Sequence, residues 1–87
     1  MSPTLRKTLD IIAKGPHSAP ALTLYALICT LEIENAGCMF KLNKLRDLNE
    51  EERKLAYELM EIMVAGDTNN EEWKNAKQQM DELVRAG

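Results

Sequence analysis

Eighty-seven residues, 45% of them hydrophobic, close one modest core and do not hold two domains, so a single domain over 1–87 is expected. The longest mainly apolar stretch, Ala19 to Leu31, contains two threonines and falls short of the roughly 20 residues a membrane span needs, which excludes a transmembrane helix there. The formal charge of -3 is uneven, with six Lys and Arg against four Asp and Glu up to Leu48 and five against ten beyond it; an acidic chain of this kind lacks the footprint of a general nucleic-acid binder.

The first element predicted is a helix over about 3–14. Ser2 is placed to cap it, Pro3 occupies the first position, where a missing N–H costs nothing, and Gly15-Pro16 stops it. Leu5, Leu9 and Ile12 form its inward stripe. No uninterrupted apolar run or small-residue cleavage site marks this region as a secretory signal, and a cytoplasmic location is expected.

The second helix is predicted over about 19–36, with Pro20 tolerated in its first turn and Gly37 closing it. The run Leu22 to Cys29 is apolar without alternation, and its length before the glycine favours helix over strand. Only Thr23, Thr30, Glu34 and Asn35 interrupt the apolar surface, so this helix is expected to be central or to meet another molecule. Cys38, Leu42 and Leu45 at helical spacing predict a short helix or structured connection over about 38–48.

Asn49-Glu50-Glu51-Glu52 has the form of a capping box, and its three carboxylates suit the positive end of a helix dipole. It opens a third helix over about 50–65. Thr68-Asn69-Asn70-Glu71 repeats the start signal for a fourth over about 70–85. Placed at about 100° per residue, Trp73, Ala76, Met80, Leu83 and Val84 span roughly 120° of the fourth helix, as on a helix with one packed side. On the third helix the apolar residues from Leu55 to Val64 sweep through roughly 220°, leaving a narrow strip for Lys54, Glu58 and Glu61. That helix must touch more than one neighbour. The expected fold is all-α: a small antiparallel four-helix bundle with a short extra element, sequence neighbours packing side by side.

The residues that carry chemistry are sparse. His17 is the single histidine and sits in a Gly-Pro-His-Ser turn, where support for the start of helix two is a better reading than a triad with Asp10 and Ser18. Cys29 and Cys38 have neither disulfide-framework nor zinc spacing and are expected to stay thiols, the first in the core. The four glycines, Gly15, Gly37, Gly66 and Gly87, all punctuate helices, so no phosphate-binding loop exists. No catalytic residue, metal site or cofactor is expected.

Three functional readings follow. The first is a protein-interaction or regulatory adaptor module, its partner another protein or a second copy, working through apolar surface at Met39, Phe40, Leu42 and Leu45; the methionines, Met60, Met63 and Met80 among them, suit either core filling or an adaptable groove. The second is nucleic-acid contact through Lys41, Lys44 and Arg46 on a recognition helix, weakened by having only three cations. The third is a small-ligand pocket or enzyme centred on Glu32, which lies on the same side as Ile28 and Tyr25, with Cys29 nearby.

Overall fold

The computed structural model describes residues 2–32 and 42–86, with the side chains of all of these except Glu32 and Leu42. Four α-helices result, α1 Pro3–Lys14, α2 Ala19–Glu32, α3 Glu50–Val64 and α4 Glu71–Ala86, with a short 3-10 helix Leu42–Asp47 before α3. The described residues contain no strand and no helix long and apolar enough to cross a membrane. The expected continuation of α2 to 36 and the first part of the 38–48 element lie outside the described residues.

Side chains at the helix starts satisfy amide groups that have no partner within the helix. Ser2 Oγ accepts from Leu5 N at 3.3 Å, Ser18 Oγ from Ala21 N at 3.3 Å, and Asn70 Oδ1 from Trp73 N at 2.8 Å. At α3 the capping box is complete, with Glu52 N donating to Asn49 Oδ1 and Asn49 N donating to Glu52 Oε1, both at 2.8 Å. The same helix ends in a Schellman turn. Asp67 N reaches back to Ile62 O and Gly66 N to Met63 O, and Gly66 takes φ 81°, where a Cβ would be strained.

Leu5 and Ile12 of α1, Leu24 and Ile28 of α2, Leu59 of α3, and Trp73, Ala76 and Met80 of α4 meet in one core. Helix α2 is interior, packing on α1, α3 and the 3-10 helix, while α1 packs on all three other α-helices. Two details depart from the sequence reading. Thr8 is more deeply buried than Leu9, because its hydroxyl donates to Thr4 O at 2.8 Å and so enters the core satisfied. Thr23, expected to interrupt α2's apolar surface, is buried as well, and Leu22 beside it is exposed.

The arrangement also departs from simple sequence order. Helix α4 packs chiefly on α1 rather than on α3, which it follows in the chain. The expected neighbour rule therefore fails at the last connection. Trp73 explains why: it is the largest fully buried side chain, and the one-sided apolar stripe around it must lie over the middle of the core.

Among the described residues Trp73 Nε1 has no hydrogen-bond acceptor although it is buried. Trp73→Ala is expected to cost about 3–5 kcal/mol, enough to unfold much of a small domain, whereas Trp73→Phe, which removes an N–H that has no acceptor, should cost less than about 2 kcal/mol. Urea unfolding of the two variants checks this. Equal losses would mean that the indole N–H is satisfied in solution.

Candidate functional site

Helix α3 buries Leu55, Ala56 and Leu59 against α1 and α2, and Thr4 Oγ1 donates to Glu58 Oε2 at 2.9 Å across the α1–α3 boundary. These contacts cover only part of its apolar arc. Tyr57 is 52% exposed, Met63 41% and Val64 72%, and Met60 between them is only half covered. At about 100° per residue Tyr57, Met60 and Val64 fall within roughly 60° of one another, so they form one edge rather than scattered spots. Arg53, Lys54 and Glu61, all exposed, flank it. The other large exposed apolar side chain of the described residues, Leu22, is on a different helix.

A second constellation lies between α2 and α4. Tyr25 Oη donates to Asp81 Oδ1, Lys77 Nζ donates to both Asp81 oxygens at 2.9 and 3.1 Å, and the same ammonium stands 5.7 Å from the centre of the Tyr25 ring. Burial, and then the hydrogen bond to Asp81, push the Tyr25 phenol well above its ordinary value of 10.0, with the half-buried Cys29 thiol adding to the shift. Burial alone would raise Asp81, but the hydrogen bonds from Tyr25 and Lys77 and the charge of Lys77 outweigh it and hold the carboxyl below 3.8. The phenol therefore stays protonated and the carboxylate ionised over the neutral range. Such a pair clamps α4 to α2, and neither of its two titrating groups is poised as a neutral-pH acid or base.

The chain matches no protein-family model, no curated protein and no solved structure.

Of the residues singled out from sequence, Met39, Phe40 and Lys41 lie outside the described residues, as do the side chains of Glu32 and Leu42. Leu45 is half-buried, with part of its side chain packed against the core. Lys44 and Arg46 are exposed, and Lys44 Nζ stands 4.0 Å from Asp47. They belong to the 3-10 helix Leu42–Asp47, which is wound more tightly than the α-helix of the recognition reading, and the first part of that 38–48 element lies outside the described residues. Cys29 is half-buried beside Tyr25, at the margin of the core rather than inside it.

His17 is exposed and hydrogen-bonds through Nε2 to Val84 O at 3.0 Å, satisfying a carbonyl in the last turn of α4 and tying the α1–α2 turn to that helix. Asp10 instead lines a shallow groove between α1 and α3 with Lys7, Asn49 and Glu51, and Ser18 Oγ caps α2. The three side chains of the triad reading thus serve three different elements. Among the described residues no three His, Cys, Asp or Glu side chains stand together as a metal-binding group.

The clamp sets a pH signature. Asp81, lowered in the fold, contributes stability that is present above 3.8 and lost as the pH falls through its folded value; Tyr25, raised in the fold, contributes stability present below 10.0 and lost as the pH rises beyond it. Tyr25→Phe is expected to cost about 1 kcal/mol at neutral pH and to shrink the alkaline loss relative to the parent. Urea midpoints across the pH range measure both effects. An unchanged alkaline limb in the variant would remove Tyr25 from the account.

Proposed function

We propose that this chain is a protein-interaction module whose docking surface is the outer edge of α3. The observation that supports this reading is the exposure of Tyr57, Met63 and Val64 beside half-covered Met60, an apolar edge that holds three of the four large exposed apolar side chains among the described residues, Leu22 being the fourth. Contiguous apolar surface is disfavoured in water and is generally retained where a partner covers it. An aromatic ring flanked by methionines also suits an interface, since the ring supplies large rigid contact area and the thioethers adjust to the opposing surface.

The sequence reading put the interaction surface at Met39, Phe40, Leu42 and Leu45. The half-burial of Leu45 and the grouping of three large exposed apolar side chains on α3, against the single Leu22 on α2, favour α3 instead. The charges around the edge are of both signs, Arg53 and Lys54 toward one end and Glu61 with Asp67 toward the other, and favour a partner that carries both signs beside its own apolar stripe.

Val64→Asp and Tyr57→Asp each place a charge on this edge at an exposed position. Both are expected to abolish capture of the bound protein while leaving the far-ultraviolet circular dichroism unchanged, and Leu22→Asp on α2 should leave capture intact. Capture that survives both α3 substitutions would contradict the assignment.

A further inference from the structure

We propose that the partner seated on the α3 edge is a second copy of this chain, paired antiparallel through α3 itself. The inference rests on the docking reading above and adds the identity and orientation of the occupant. Arg53, Tyr57, Met60 and Val64 are spaced four, three and four residues apart, the spacing of a two-helix seam, and Arg53, Tyr57 and Val64 are exposed while Met60 forms the half-buried floor.

The flanking charges select the orientation. In an antiparallel pair with its two-fold axis between Tyr57 and Met60, Tyr57 packs on the partner's Met60 and Met60 on the partner's Tyr57. Arg53 then reaches the last turn of the partner's helix beside the partner's Val64, where terminal carbonyls and the negative dipole end favour a cation. On one flank Lys54 faces the partner's Glu61, and symmetry repeats that pair. On the other flank Ala56 is buried within its own chain and the exposed Met63 borders the seam. A parallel pair would set Arg53 against the partner's Arg53 and leave Lys54 and Glu61 without opposite charges across the seam.

The same geometry limits the strength of the pair. One helix edge per chain is a small interface, and Glu50 approaches the partner's Asp67 at each end, so the equilibrium is a weak monomer–dimer exchange.

Sedimentation equilibrium of the full chain from micromolar to millimolar concentration tests the pairing. The parent is expected to dimerise with rising concentration, and Val64→Asp to stay monomeric with its helicity unchanged. Lys54→Glu and Glu61→Lys should each weaken dimerisation about tenfold by converting two attractive pairs into repulsive ones, and the double variant should return to within about twofold of the parent. Failure of the double variant to recover would overturn the antiparallel register. A parent that stays monomeric throughout would overturn self-pairing; if Val64→Asp still abolished capture of a different protein, the docking reading would stand without it, and if it did not, both would fall.

Discussion

A helix of twelve residues has little surface, and α1 divides its own among three partners. It packs against α2, α3 and α4, and its narrow buried stripe of Leu5, Thr8 and Ile12 lies where their side chains converge. The threonine is part of that solution: by donating to the carbonyl of Thr4 it presents a compact, satisfied side chain where a larger residue would separate the helices. With α1 holding this position, α4 brings Trp73 and Met80 to the core by lying over α1, and α2 closes it from another side.

One cost of the arrangement falls on α3. Because α4 is engaged chiefly with α1, the main neighbours of α3 among the described residues are α1 and α2, and they cover only part of its broad apolar arc. The uncovered remainder is the edge of Tyr57, Met63 and Val64. The clamp of Tyr25, Lys77 and Asp81 works toward the same result from the other side of the molecule, since together with the His17 bond to Val84 O it fixes α4 to α2 and to the turn before α2. Fold and proposed function are thus linked: the packing that completes the core leaves the interface open.

Most of the fold is legible in the sequence because its signals are local. Ser2-Pro3, Asn49 with Glu52, and Gly66 each act within a few residues of their own position, and each appears in the structure in the predicted role, while the start signal over Thr68 to Glu71 marks α4 with Asn70 rather than Thr68 as its cap. Which helices pair is not local, and sequence order misplaced α4. The Tyr25–Asp81 bond joins residues 56 positions apart and leaves no spacing pattern, although Lys77 and Asp81 alone, one turn apart, were within reach of inspection. The α3 edge had a visible signal, the apolar sweep too wide for a narrow polar strip. Its character as a surface lies in the exposure of Tyr57, Met63 and Val64, which the helical spacing alone does not give. Leu45 shows the converse, since an apolar residue in a short element gives no sign of whether it packs inward or faces a partner.

The most direct test of the interface is a dilution series followed by amide chemical shifts of the labelled chain. The account predicts concentration-dependent shifts concentrated between Arg53 and Val64, with the buried face of α4 around Trp73 and Met80 unchanged. Shifts confined to α2 or to Lys44 and Arg46, or a spectrum that does not move with concentration, would contradict it.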